Sequence, residues 1–346
     1  MKSNPLAALL RVLLVVAVAA IAFALLRWGW HGGHDPLIVY CAHDSVYAES
    51  VLRQFERKTG IPVAIRYDTE ATKSLGLVEL LVREKSAPRC DVFWNNELLG
   101  IMDLKEKGVL QPYKGEGYNR IPATFKDADG YWTGFAARLR VFILNTKKVE
   151  AKEEIVRQRL EGGDLSQAAI AKPLFGTTLT HYSVLWHLLG GEAVKQWHHN
   201  ARARGIRELG GNAQTMRVVA DGVCAIGYTD TDDFFVAKDE SKPVAMLPAT
   251  VGDGRTLCIP NTVAIIKGTR RQQDAQLLVD FLLSAESELA LARSQARQIP
   301  LGPVDESALS DDVRQLRRWA ERGYPLTDLG AARAACLQWL KSEYVK

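Results

Sequence analysis

Short apolar runs alternate with helix-like patterns along the first third of the chain. Leu37 to Cys41 is a continuous apolar run, typical of a strand that is buried on both faces. A helical spacing of apolar residues follows from Asp44 to Thr59 and stops at Gly60. The same pair of patterns returns twice, at 62–67 with 75–83 and at 92–94 with 97–107. This alternation predicts parallel strands covered by helices on both faces of a sheet.

Two long apolar stretches, at 130–145 and 257–266, interrupt this alternation. Each is long enough to cross from one lobe of an α/β protein to another. The other patterns predict helices at 151–164, 182–189, 193–203, 272–293, 311–321 and 329–344, with a loop at 172–180. The predicted fold is α/β, with two doubly wound lobes joined by two crossing strands and a ligand cleft between them. The expected boundaries are 34–138 and 262–346 for lobe 1, including the C-terminal helices, and 139–261 for lobe 2.

One stretch, from Val218 to Phe235, is the clearest candidate for a ligand site. Its apolar run at 223–227 predicts a buried strand that ends at Gly227, and polar residues follow directly. In open α/β sheets, ligands bind just outside the carboxyl ends of strands. The alternative is that these residues form a solvated turn followed by a helix cap, which would use the same residue types. The candidates in this stretch are Tyr228, Thr229, Asp230 and Thr231.

Three more polar stretches lie where the pattern passes from strand to helix. They contain His43 with Asp44, Asn95 to Glu97, and Thr177 to His181. The free N–H groups and the dipole of a helix N-terminus form an anion site, and threonine hydroxyls add donors. Helix capping by Thr180, or by the asparagines, is the simpler alternative.

Two arginines, Arg138 and Arg140, interrupt an otherwise apolar predicted strand. An unpaired charge in such a position is costly. At least one of them is predicted to face the cleft and an anion there, and an internal carboxylate partner is the alternative.

Length and charge limit the class of protein. A chain of 346 residues is too long for one ordinary core. Its formal charge is +4, of which Lys2, Arg11 and Arg27 supply three, so the body is near neutral and a nucleic-acid partner is not expected. We expect a monomer.

The N-terminal segment, 1–33, is predicted to be a signal peptide or a membrane anchor. Its basic residues flank an unbroken apolar run of 15 residues, from Val12 to Leu26. That length is typical of a secretory signal and is short for a membrane span. The small-x-small patterns at 20–22 and 22–24 fall inside the apolar run, so an uncleaved anchor is the alternative. Either way, a periplasmic or other extracytoplasmic location is expected.

The five cysteines do not suggest disulfides. Cys41 ends one predicted strand and Cys90 begins another, so in parallel neighbouring strands they would lie about 13 Å apart. No pair has the spacing of a metal site. We expect small buried side chains.

Several segments together resemble the ferric-iron-type extracellular solute-binding proteins of ABC importers. They lie at 37–44, 55–63, 90–97, 137–145, 175–181, 211–212, 226–233 and 260–267, in the family's order. The resemblance implies a type II periplasmic-binding-protein fold whose lobes close on a solute by hinge motion. It also implies delivery of that solute to an ABC permease and its ATPase, with no enzymatic activity and no cofactor other than Fe³⁺ as a transported solute.

The resemblance also implies roles for particular residues. Arg138 matches the family's anion-binding arginine, Thr177 and Thr178 its anion loop, Asn212 a polar cleft residue, and His43 lies near its histidine iron ligand. Two departures concern iron. The ferric-binding members have a glutamate where this chain has Asn96, and adjacent tyrosines where it has the run at 229–233. Hard Fe³⁺ prefers anionic oxygen ligands, and Tyr228, Asp230 and Asp232 could supply some of them.

The resulting candidate site has fifteen members. They are His43, Asp44, Asn95, Asn96, Glu97, Arg138, Thr177, Thr178, Thr180, His181, Asn212, Tyr228, Thr229, Asp230 and Thr231. The candidate metal ligands among them are His43, Glu97, Tyr228 and Asp230. The expected solute is a small anion, such as a phosphorylated organic molecule, or ferric iron with a synergistic anion.

The sequence leaves two alternative functions open. The order Asp230-Thr231-Asp232 resembles the aspartate pair of haloacid-dehalogenase-type phosphotransferases, which would make Asp230 a metal-dependent nucleophile. Asp233 and Phe234 do not continue that pattern, and the chain has no Gly-rich phosphate loop, GxSxG or HExxH sequence. A membrane-tethered sensor with the same fold is the other alternative.

Overall fold

The computed structural model describes residues 35–68 and 75–344. The predicted signal or anchor at 1–33 lies outside the described residues. The strands are β1 Leu37–Cys41, β2 Val63–Tyr67, β3 Val92–Asn95, β4 Leu110–Gln111, β5 Thr133–Asn145, β6 Ala168–Ala171, β7 Arg207–Leu209, β8 Ile226–Asp230, β9 Val244–Pro248, β10 Thr250–Val251, β11 Arg255–Thr256 and β12 Cys258–Ile266.

The helices alternate with these strands through most of the chain. They are α1 Ser45–Thr59, α2 Leu75–Arg83, α3 Leu99–Glu106, α4 Glu116–Arg120, α5 Glu153–Glu161, α6 Gly176–Leu189, α7 Gly191–Ala203, α8 Asn212–Ala220, α9 Thr231–Asp239, α10 Gln272–Leu282, α11 Ala285–Arg293, α12 Asp311–Ala320 and α13 Gly330–Tyr344. Two short 3₁₀ turns lie at Ala123–Phe125 and Glu306–Ala308.

One continuous sheet runs through the described residues in the order β2-β1-β3-β12-β5-β8-β6-β7. The pairs β1–β2, β1–β3, β6–β7 and β6–β8 are parallel. The long strands β5 and β12 are antiparallel to each other and to β8 and β3, respectively. They therefore join two parallel halves of the sheet. This arrangement confirms the predicted α/β fold with two crossing strands, while the exact lobe boundaries stay a prediction.

Alternating side chains of β1 show how helices cover both faces. Leu37 and Val39 are fully buried against a cluster that contains Phe55 of α1. Tyr40 points to the opposite face, into a cluster with Leu81 of α2. Because both faces of the strand are covered, the apolar run in the sequence is continuous.

The structure corrects three predicted elements. The predicted loop at 172–180 ends early, because helix α6 already begins at Gly176 and includes the threonines. The predicted strand at 223–227 is displaced, because β8 runs from Ile226 to Asp230 and holds polar residues within the sheet. The predicted helix at 272–293 is two helices, separated at Leu283 and Ser284.

Two further observations bear on the sequence predictions. All five cysteines are buried, as expected, and no disulfide joins two of them within the described residues. Among residues 35–68 and 75–344, no helix combines the length and the apolar character needed to span a membrane.

Candidate ligand-binding site

A cavity of about 270 Å³ lies where four helices begin. The first residues of α1, α6, α8 and α9 line it, and Arg138 of β5 and Asn96 after β3 complete the wall. We call this space the site cavity. Four helix N-termini direct free backbone N–H groups and positive dipole ends toward it.

Asp230, the last residue of β8, is the most connected side chain at this cavity. Its Oδ1 accepts a hydrogen bond from Arg140 Nη1 at 2.8 Å, and its Oδ2 accepts one from Thr177 Oγ1 at 2.6 Å. Asn212 Nδ2 and Arg138 Nε also donate to Oδ2, at 2.9 and 3.4 Å. We call these four residues, Arg138, Arg140, Thr177 and Asn212, the donor group.

Strand register explains why the charges meet. Arg140 lies directly opposite Asp230 in the antiparallel pairing of β5 with β8. Directly opposed residues place their side chains on the same face of a sheet. Arg138, two residues earlier on β5, lies on that face as well. The sequence alternative of an internal carboxylate partner is therefore the observed one for both arginines.

The charges around Asp230 keep it ionised. Burial alone would raise the pKa of this carboxyl, but the charges of Arg140 and Arg138 and the Thr177 hydrogen bond bring the pKa below its usual value. Burial lowers the pKa of Arg138, and the carboxylates of Asp232 and Asp230 more than compensate for it. The buried charges thus stabilise one another.

Arg138 connects the two halves of the sheet. Its Nε lies 3.8 Å from Asp232 Oδ2, and its Nη2 donates to the backbone carbonyl of Asn96. Its Nη1 is buried and has no hydrogen-bond partner among the described residues. The arginine therefore touches groups from both sides of the site cavity and retains a donor nitrogen there.

Three carboxylates cluster at the start of α9. Oxygen atoms of Asp230, Asp232 and Asp233 all lie within 4.8 Å of one another. Asp233 accepts a hydrogen bond from Thr229 Oγ1 at 2.7 Å. Burial, followed by the charges of Asp232 and Asp230, raises the pKa of Asp233 well above its ordinary value. We call these three residues the acidic group; a cation bound to it would relieve the mutual repulsion.

The structure brings seven predicted site residues to the wall of the site cavity. They are Asp44, Asn96, Arg138, Thr177, Thr178, Asn212 and Asp230. Thr178 donates from its hydroxyl to Asn212 Oδ1 at 3.2 Å.

The other predicted residues are buried behind the wall or elsewhere in the sheet. Glu97 accepts the backbone N–H groups of Leu99 and Gly100 and the amide of Asn95, so it stabilises the start of α3. Thr180 donates to the carbonyl of Gly176, one turn back in its own helix. Thr231 Oγ1 accepts from the Leu139 N–H at 3.3 Å, and Thr229 also donates to the Asn212 carbonyl.

Three aromatic candidates also lie outside the wall. Tyr228 precedes Asp230 by two residues, so its ring lies further from the carboxyl end of β8, 4.4 Å from Phe142 and 5.7 Å from His181 between ring centroids. His43 stacks on Trp94 at 5.5 Å, and its Nε2 lies 3.1 Å from Gln298 Nε2. Of the four candidate metal ligands, Asp230 is the one that belongs to the acidic group.

The fifteen candidates do not include Arg140 and Asp233, and Asp232 was predicted only as a source of oxygen ligands for iron. The aspartates stood in the polar run that had already been singled out, so extending the set to the end of that run would have included them. Arg140 could be assigned only from the pairing of β5 with β8.

A sequence profile of the family described as bacterial extracellular solute-binding protein matches residues 50–318. The chain belongs to this family. The family consists of binding proteins, which agrees with the prediction that the chain is not an enzyme. The arrangement of Asp230 argues in the same direction, because a carboxylate bound by two guanidinium groups is a poor nucleophile.

Related sequences come from several bacteria. An uncharacterised protein of Haemophilus influenzae is 26% identical over 309 residues, covering 84% of this chain and 85% of the relative. The major ferric iron-binding protein of Neisseria meningitidis is 23% identical over 288 residues, covering 77% and 81%. The predicted relation to ferric-iron-type solute-binding proteins is thus confirmed.

Solved structures share the fold of this solute-binding protein. Iron-bound HitA from Pseudomonas aeruginosa superposes with a TM-score of 0.78 at 22% identity, over 90% of this chain and all of that one. The periplasmic binding protein AfuA from Actinobacillus pleuropneumoniae, with fructose-6-phosphate bound, gives 0.69 at 18% identity, over 89% and 98%. These similarities agree with the predicted type II periplasmic-binding-protein fold.

Proposed function

We propose that this solute-binding protein captures a hard metal cation, with Fe³⁺ as the first candidate, at the acidic group. The supporting observation is the set of three carboxylates that approach within 4.8 Å of one another at the site cavity. Anionic oxygen atoms are the ligands that hard cations prefer. Relatives described as ferric iron-binding proteins support the same choice.

The charge distribution favours a cation over an anion. Arg140 and Arg138 already compensate the charge of Asp230, through contacts of 2.8 and 3.4 Å. Asp232 and Asp233 add further acidic side chains to the cavity wall. Burial, and after it the negative charges of Asp232 and Asp230, raises the pKa of Asp233. A multivalent cation that coordinates these carboxylates would offset the electrostatic repulsion between them.

A phosphorylated organic solute is the second candidate. The four helix N-termini at the site cavity favour it, since they donate to anions, and so does Arg138 Nη1, for which the described part of the chain offers no hydrogen-bond partner. The similarity in fold to AfuA, which holds fructose-6-phosphate, is consistent with this candidate.

The proposed role includes export and delivery. The segment at 1–33 would direct the body out of the cytoplasm as a signal or would retain it as an anchor. The loaded protein would then release its solute to an ABC permease that is driven by an ATPase. Transfer of bound solute to that permease in vesicles would separate this role from that of a tethered sensor.

Thermal unfolding with candidate solutes tests the solute. A ligand at 100 times its Kd adds about 2.7 kcal/mol to the free energy of unfolding, which gives a measurable shift in Tm. We expect a shift with Fe³⁺ supplied as a weak chelate, and none with Mg²⁺ or fructose 6-phosphate. The shift should disappear when Asp232→Asn and Asp233→Asn are combined.

The matched control is Asp253→Asn, because Asp253 is an exposed acidic residue remote from the site cavity. It should retain the Fe³⁺ shift. A shift with fructose 6-phosphate and none with metal ions would contradict the cation proposal and support the second candidate.

A further inference from the structure

The donor group has the composition of an oxyanion site. It combines two guanidinium groups, a hydroxyl and an amide at the starts of α6 and α8. Such groups bind phosphate or carbonate through charge-assisted hydrogen bonds. In this protein they converge on a carboxylate of the chain itself.

We propose that the Asp230 carboxylate is a built-in anion, which occupies a position that would otherwise bind an exogenous oxyanion. As far as it concerns metal capture, this inference rests on the proposed function: the cation would bind without a free anion as co-ligand. The occupancy itself depends only on the contacts around Asp230.

The hydrogen bonds orient Thr177 and Asn212 around this carboxylate, while Arg140 Nε and Nη2 and Arg138 Nη1 have no hydrogen-bond partner among the described residues. Thr177 donates its hydroxyl proton to Asp230, and its oxygen accepts from Asn212 Nδ2 at 2.9 Å and Arg140 Nη1 at 3.3 Å. Asn212 Oδ1 accepts from Arg140 at 3.1 Å and from the Thr178 hydroxyl. Asn212 Nδ2 therefore donates both to Thr177 Oγ1 and to Asp230 Oδ2, each at 2.9 Å. This orientation suits an anionic acceptor.

Burial makes the internal partner strongly preferred. Arg140 is fully buried and Asp230 is 3% exposed. Arg140 is not part of the cavity wall, and Asp230 is its one ion-pair partner among the described residues. An exogenous phosphate would have to approach the ionised Asp230 and would meet like-charge repulsion at short range. The donor group is thus closed to free anions while Asp230 is ionised.

An isosteric change removes the charge and leaves the shape. Asp230→Asn would leave Arg140 facing a neutral side chain and Arg138 with Asp232 as its remaining carboxylate, 3.8 Å away, with Thr177 and Asn212 still in place. The full-length protein should then gain affinity for inorganic phosphate. The matched control is Asp233→Asn, which removes a carboxyl from the acidic group but leaves Asp230 and the donor group intact.

Isothermal titration with inorganic phosphate tests the proposal directly. We expect no binding to the native protein or to Asp233→Asn at millimolar phosphate, and affinity at least about tenfold higher for Asp230→Asn, as expected when a charge-assisted bond is gained. If Asp230→Asn unfolds, phosphate should restore its melting transition. Asp230→Ser, which leaves more room, should show the same gain.

The two proposals fail in different ways. Phosphate binding to the native protein as tight as to Asp230→Asn, or no gain in either Asp230 variant, would overturn the built-in anion. Fe³⁺ binding that requires added phosphate would also overturn it. If the native protein does not bind Fe³⁺ and Asp230→Asn gains affinity for phosphate, the metal proposal is wrong and the built-in anion is supported.

Discussion

At the scale of single residues, the Arg140–Asp230 pair has the largest expected effect on stability. Both side chains are buried, and Arg140 Nη1 contacts three acceptors. Removing one partner of a buried pair leaves an uncompensated charge. We expect Arg140→Met to lower the free energy of unfolding by about 3–5 kcal/mol, measured by urea denaturation.

Arg138→Met is the comparison for this prediction. Its contacts with Asp230 and Asp232 are longer, at 3.4 and 3.8 Å, so its loss should cost less. If both substitutions lower the free energy of unfolding equally, the position of Arg140 directly opposite Asp230 does not make its ion pair the stronger one.

A second residue-scale prediction concerns His181 and pH. Burial, and secondarily the charge of Arg140, lowers the pKa of His181 to about 3. The unfolded chain protonates this ring near pH 6.5, so the unfolded state binds an additional proton between about pH 6.5 and 3. As the pH is lowered through that window, the free energy of unfolding should therefore decrease by about 1.4 kcal/mol per pH unit from this group. Above pH 7, His181 should make no contribution to the pH dependence.

Urea denaturation between pH 7 and pH 5 measures this dependence. His181→Phe should reduce the slope, because the unfolded variant has one titrating group fewer. An unchanged slope in the variant would assign the acid sensitivity to other groups.

Polar positions in the sequence indicated several residues that lie together in the structure. Thr177, Asn212 and Asp230 line the site cavity, and their part in ligand binding stays a prediction. The partner of Arg138 was left open between an anion and an internal carboxylate. The deciding fact is the pairing of residue 140 with residue 230, which connects positions 90 residues apart. Local pattern contains no information on such a pairing.

At the scale of elements, the crossing strand β5 carries an irregularity stabilised by one buried carboxylate. Ala136 has a left-handed φ of 42°, where the pairing of β5 with β12 shifts register. Glu288 Oε1 accepts the backbone N–H groups of Ala136 and Leu301, at 3.1 and 2.7 Å, and Oε2 accepts that of Gly302 at 3.1 Å. Glu288 is fully buried.

Glu288→Ala should therefore be strongly destabilising. It leaves three backbone donors without an acceptor, and each buried unsatisfied donor costs about 1–3 kcal/mol. We expect a loss of at least about 3 kcal/mol in urea denaturation. Glu288→Gln retains one acceptor oxygen and should lose less. A cost for Glu288→Ala similar to that of an exposed glutamate would contradict this role.

The element predictions from sequence were accurate where apolar spacing was regular. Strand β1 and helix α2 agree with the predicted ranges at both ends. The displaced elements, β8 and the start of α6, are rich in threonine, aspartate and tyrosine. Their polar groups are satisfied by contacts from distant segments, such as Arg140 and Asn212, so they can be buried. Prediction from the local sequence pattern alone places such polar residues in loops.

At the scale of the whole molecule, helix α13 connects parts of the chain that the sequence could not relate. Lys341 pairs with Glu79 of α2 at 3.1 Å, while the Tyr344 hydroxyl reaches His198 of α7 and Glu208 of β7. The helix was predicted at 329–344, but its position across both halves of the sheet depends on tertiary contacts. The general architecture was predictable because it follows from the order of strands and helices.

The five cysteines give the last prediction, which concerns the integrity of the whole fold. Cys41 and Cys258 lie in β1 and β12, Cys90 and Cys224 lie two residues before β3 and β8, and Cys336 lies in α13; all five are buried. Burial raises the pKa of Cys258 and of Cys336 to about 12 and that of Cys90 well above its usual value, so reactive thiolates are scarce in the native state.

A maleimide reagent should therefore label the native protein very slowly. In urea all five thiols should react, and a reducing agent should leave the Tm unchanged, since no disulfide contributes to stability. Fast labelling of one cysteine without denaturant would reveal local opening at that position. A Tm lowered by reductant would show that a disulfide contributes to stability.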